Sequence, residues 1–153
     1  MALQLKTICY RGGLVTFRIP AHWKEEYEPD GGGTFYEEGL DTGTLRLNVL
    51  SAESGGKATA AVMLETVFKS GTYEELTGGF RLRRSIKATD RGILLRRWEV
   101  GVPVLESELR IYCFTHTVLA AKEADAKTQV DLALVDEAVR TATYSQERGV
   151  ALH

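Results

Sequence analysis

The feature that most constrains this chain is its hydrophobic period. It stays at two over most of the length and moves to nearly four in only two places. Val15, Phe17 and Ile19 fall on one face of an extended segment, with Leu14, Thr16 and Arg18 on the other, until Pro20 withdraws a ladder donor. Thr34–Glu37 and Thr44–Leu50 read as two strands around Gly39–Gly43, a loop of hairpin length. Alternation returns in Phe80–Ala88 and Ile93–Val100, turned by Asp90-Arg91-Gly92, and Leu105–Thr117 is the longest strand candidate. Trp23–Gly33 is acidic and ends in three glycines, which predicts a loop, and Gly101–Pro103 predicts a turn.

The two helical stretches are Ala60, Met63, Leu64, Val67 and Phe68, closed by Ser70-Gly71, and Leu134, Val135, Ala138, Val139 and Ala142. Thr128 has capping-box spacing to Asp131 ahead of the second. Ser145–His153 has no apolar period and is expected to fray. Hairpin-length connections require antiparallel pairing, since parallel neighbours need long crossovers. The chain has 153 residues, 44% of them hydrophobic, which suits one domain with a core of its own. The expected fold is α+β: a single-domain α/β/α sandwich over 1–153, core 14–144, with an antiparallel sheet of about six strands and two main amphipathic helices.

Phe17-Arg18-Ile19-Pro20 followed by Trp23 forms an F-x-I-P-x-x-W corner, and a Tyr/Phe-containing strand then runs into the final helix. With the intervening hairpins and helix, this succession resembles the PsbP-like superfamily of PsbP, DcrB-type and Ran-binding Mog-type proteins. The resemblance implies an antiparallel sheet between helices and a role as a protein-binding or accessory subunit. At the corner itself, Phe17 and Ile19 point inward and Trp23 is expected to fold back as a lid on the sheet edge.

Charge is the best functional signal. The net formal charge is -2, too near neutral for a general nucleic-acid binder. That small sum hides segregation. Arg81–Arg97 holds seven basic residues against Asp90 alone, and Glu25–Asp41 holds seven acids and no base. On the strand alternation Arg81, Arg83 and Lys87 share a face, joined by Arg97 on the partner strand. Such a face attracts an acidic protein surface or an anion, unless Glu99, Glu106 and Glu108 on adjoining strands balance it.

No catalytic pattern is intact. Cys113 and His116 are three apart on a strand and so project to opposite faces; Cys113 reads as a buried structural thiol beside Leu109 and Ile111, and His116 goes with Arg110, Tyr112 and Phe114. Asp41-Thr42-Gly43 matches an aspartic-protease tripeptide and equally suits a turn. Gly55-Gly56-Lys57 fails as a phosphate loop because Ser51 and Ala58 replace its first glycine and its hydroxyl. His22, His116 and His153 lack metal-ligand spacing, and no cofactor is expected.

The first twenty residues lack a secretory apolar run, and no stretch reaches the roughly 18–20 apolar residues of a bilayer span. Cytoplasmic residence with Cys9 and Cys113 reduced, and no membrane contact, is expected. The functional expectation is a non-catalytic binding or accessory protein using Arg81, Arg83, Lys87 and Arg97 against a protein partner, with self-association through opposite charges also open. The alternative is a small-molecule-binding protein or enzyme with a cleft near Trp23, Tyr36 and His116.

Overall fold

The computed structural model describes residues 3–39, 42–69 and 72–147. In chain order they form β1 (Leu5–Tyr10), β2 (Val15–Pro20), β3 (Lys24–Tyr27), β4 (Gly33–Tyr36), β5 (Thr44–Glu53), α1 (Ala60–Val67), β6 (Tyr73–Glu75), β7 (Arg81–Ala88), β8 (Ile93–Val104), β9 (Glu108–Leu119), α2 (Ala126–Thr141) and β10 (Thr143–Tyr144). All the pairings are antiparallel, and the fold is α+β. The strands divide into two sheets, a small one in the order β1-β2-β10 and a large one in the order β3-β4-β5-β9-β8-β7-β6. Among the described residues no helix is long and apolar enough to cross a membrane.

The large sheet is covered on both faces. On one, which we call inner, Val100, Tyr112 and Phe114 meet β2 and α2 in the main core. Phe17 of β2 fixes this contact, its ring edge-to-face with Phe35 at 5.4 Å and Phe114 at 5.5 Å. On the outer face α1 lies across β8 and β9, burying Leu64 and Phe68 against Leu109.

Several expectations are corrected. The large sheet has seven strands, close to the expected six, and the three-stranded sheet β1-β2-β10 is additional; β3, β6 and β10 are short strands without a buried alternating face. The Trp23–Gly33 stretch contains β3, whose four residues are all exposed. Gly101–Pro103 is no turn but the middle of β8. A Cβ at Gly101 would stand 2.6 Å from Phe68 and 2.7 Å from Leu64, so the glycine is the seat of α1. Pro103 lies past the last β7 partner, on a side of β8 where a ladder donor is dispensable.

Leu105 sits in a tight turn at φ +54, so the strand expected from Leu105 begins only at Glu108. Asp125, not Thr128, occupies the N-cap of α2, and Asp131 bonds Lys127 instead of closing a capping box. Residues 145–147 do not fray. Ser145 donates its N–H to Leu14, and the fully buried Arg110 donates to the carbonyls of Ser145 and Glu147 at 3.0 Å each. The expected cap at Ser70-Gly71, Asp41 of the tripeptide, and His153 lie outside the described residues.

Candidate functional site

Strand register sorts the arginines of the Arg81–Arg97 hairpin into two kinds. Arg81, Arg83, Ser85 and Lys87 alternate onto the outer face of β7, opposite Gly101, Glu99, Arg97 and Leu95 of β8. Arg81 donates to the Phe68 carbonyl at 3.0 Å and stacks over the Tyr73 ring. Arg83 donates to the Val67 carbonyl at 2.8 Å, pairs with Glu99 at 3.1 Å and covers the Phe68 ring. Both therefore satisfy carbonyls that the end of α1 leaves open, where cations also suit the helix dipole. These two expected binding residues hold the helix onto the sheet.

Lys87 and Arg97 are different. Both are exposed, and among the described residues neither makes an ion pair or a side-chain hydrogen bond. A third cation joins them. Arg46 of β5 is exposed and equally unpaired, and the ladders place Arg97 opposite Thr115 and Thr115 opposite Arg46. Continuing outward, the row reads Ser85, Arg97, Thr115, Arg46, Thr34 and Glu26 across six strands. Hydroxyl groups thus alternate with guanidinium groups in the centre of the open sheet. Of the expected counter-charges, Glu99 is taken by Arg83 and Glu108 points inward with Arg110 at 3.8 Å, and the acid in the row is Glu26 at its far end, two strands from Arg46.

Apolar surface borders the cations. Leu50, on the same face of β5 as Arg46, is 58% exposed and stands opposite Ile111, which packs with Met63 against the α1 cluster. The outer face therefore carries α1 with its apolar border on one part and the exposed cations on another.

The acidic stretch is not one open surface. Glu25 pairs with Lys6 at 2.7 Å and accepts from the Tyr27 hydroxyl, which lowers its pKa. Glu37 bridges His22 at 2.5 Å and Lys127 at 2.9 Å, and chiefly the lysine holds its carboxyl below the ordinary range. Tyr36 lies on the outer face, and a hydrogen bond to Glu26 raises its phenol.

The other expected residues are dispersed. Trp23 turns back after β2, donating its N–H to the Pro20 carbonyl, and is 4% exposed inside the main core. His116 is 2% exposed on the inner face, beneath Gly43, whose missing Cβ makes room for the ring; Nδ1 has no partner. Burial pushes the His116 pKa down, outweighing the attraction of Asp131, with Arg96 and Lys127 adding to the fall. The deeper face of β9 is thus the one that holds His116, while Cys113 is only half-buried on the outer face. Burial, then Glu99, raises the Cys113 thiol above its usual pKa and keeps it protonated. Among the described residues, grooves of about 410, 340, 290 and 150 Å³ include none lined by Trp23, Tyr36 or His116. Among the described residues no group of three or more His, Cys, Asp or Glu could hold a metal ion.

Arg46 is the residue that sequence reasoning missed. It stands 35 positions before Arg81, and only the pairing order β5-β9-β8-β7 brings it beside Arg97. The available signal was its outward position between Thr44 and Asn48.

The sequence matches no family model and no curated protein. Among solved structures it is similar to a protein of Bacteroides thetaiotaomicron VPI-5482, with 16% identity and TM-score 0.56 over 94% of this chain and 49% of that one. It is also similar to LpqN of Mycobacterium tuberculosis, described as involved in cell envelope biogenesis, with 11% identity and TM-score 0.56 over 94% of this chain and 91% of that one. The chain spans about half the length of the Bacteroides protein. At these identities the likeness concerns the fold alone.

Proposed function

We propose that the protein is a non-catalytic binding protein, an accessory subunit of the kind the PsbP-like resemblance implies. Its outer sheet face would receive an acidic, amphipathic segment of a partner protein. The observation that carries this reading is the row of Arg46 and Arg97, with Lys87 beside it. These three cations are exposed and unpaired, whereas Arg81, Arg83, Arg84 and Arg96 nearby all have partners. Carboxylates of the segment pair with the row, and its apolar side chains cover Leu50 beside Met63.

Cytoplasmic residence belongs to the same proposal, as LpqN's envelope role is that protein's own. The alternative remains a small-molecule-binding protein or enzyme with a cleft near Trp23, Tyr36 and His116, three residues that line none of the four grooves described above. The test is a fluorescence-anisotropy titration with a labelled helical peptide bearing glutamates on one side and leucines on the other. Arg46→Glu with Arg97→Glu is expected to raise Kd at least about tenfold, and added salt to do likewise. Unchanged affinity in the double variant contradicts the proposal.

A further inference from the structure

A groove of about 410 Å³ lies between α2 and the inner face of β7–β8, bordered at its edge by Ser85 and Arg97 of the cationic row. Apolar groups form much of it. Ile86 is 60% exposed, Leu132 and the Trp98 ring line its wall, and Ala133 of α2 presents only a methyl group. An exposed isoleucine beside a tryptophan leaves apolar surface that a ligand would remove from water. The volume falls in the range of small-molecule sites.

The polar lining is selective in sign. Two arginines of the inner face, Arg84 and Arg96, stand against the single acid Asp136; Arg97 borders the groove from the outer face. That acid is already committed, accepting from Arg84 at 2.7 Å and from the Trp98 indole at 2.9 Å, and Arg84 also bonds Glu74 at 2.9 Å. Arg96, directly across from Ile86 in the ladder, has one charged partner, Glu123 at 2.7 Å, while its Nε is buried without any. A guanidinium carries five donors and is suited to a second, bidentate carboxylate. A cation in this groove would meet arginines with no free acid on the lining.

From these groups we infer that the groove binds an amphiphilic carboxylate, its apolar body along Ile86, Leu132 and Ala133 and its carboxylate at Arg96. The carboxylate position at Arg96 is on the inner face and does not rest on the function proposed for the outer row, although Ser85 and Arg97 of that row also border the groove.

The probes are decanoate, decanol and decyltrimethylammonium, titrated into the full chain while following the Ile86 methyl resonances and Trp98 fluorescence. Decanoate is expected to shift both signals saturably and to bind at least about tenfold more tightly than either uncharged or cationic analogue. Arg96→Gln should erase most of that preference while leaving decanol unchanged. Ala133→Phe, at an exposed helix position, should fill the groove and abolish all three responses with the unfolding midpoint retained. Arg46→Glu, on the outer face, should leave decanoate binding as it was. Absence of a saturable decanoate response, equal response to the cationic analogue, or full binding by a folded Ala133→Phe variant overturns the inference.

Discussion

Arg97 of β8 and Arg46 of β5 stand in one row of the sheet, separated only by the strand carrying Thr115, and among the described residues neither pairs with an acid. Two guanidinium groups on one face, two strands apart, repel each other and contribute nothing to holding the fold. Neutralising one of them, by Arg97→Gln, is expected to leave the urea midpoint unchanged or to raise stability by a few tenths of a kcal/mol, roughly the size of an exposed pair term. Arg83→Gln should instead cost about 1–2 kcal/mol, because it strips Glu99 and the end of α1 of a charge-assisted donor. Urea unfolding of both variants separates the two kinds of arginine.

The same division marks what could be read from the sequence and what could not. Val15, Phe17 and Ile19 announce β2 because one face is buried and the other is not. β3 gives no such signal, since Lys24–Tyr27 is an exposed edge on every side. In β9 both faces are covered, so alternation separates Cys113 from His116 correctly but leaves undecided which face is deeper. Local patterning found Lys87 and Arg97, yet it grouped them with Arg81 and Arg83, which the end of α1 claims. Arg46 joins through pairing between distant segments, a property that no local window contains.

Burial of His116 carries a pH signature. Its folded pKa lies below the unfolded value of about 6.5, so the neutral ring is favoured in the fold. The corresponding stability is fully present above about pH 6.5 and is lost as pH falls from there through the folded pKa. Thermal unfolding should therefore show Tm declining below about pH 6.5, before the paired carboxylates of Glu25 and Glu37 titrate. His116→Leu should flatten that part of the profile, and an unchanged slope in this variant rules out His116 as its source.

Gly101 should tolerate no side chain. In Gly101→Ala the new methyl group meets Phe68 and Leu64, and α1 must move, costing about 1–3 kcal/mol. Hydrogen exchange should locate the loss in α1 and the centre of β8, with α2 unaffected.

Arg110 ties the chain beyond α2 to the sheet, and its guanidinium is fully buried beside Glu108 and Tyr112. Arg110→Met removes the donors to Ser145 and Glu147 and should cost about 3–5 kcal/mol, the range for breaking a buried ion pair. Limited proteolysis is expected to cut near Ser145–Glu147 in the variant well before it cuts the parent.

The account turns on whether the row from Arg97 to Arg46 is a docking surface or merely solvated charge. The direct measurement is the Kd of the glutamate/leucine helical peptide for the parent chain and for Arg46→Glu/Arg97→Glu, at low and at high ionic strength. The account predicts saturable binding by the parent, weakened at least about tenfold by the double reversal and strongly by salt. Peptide affinity that is equal in the two proteins and indifferent to salt would contradict it.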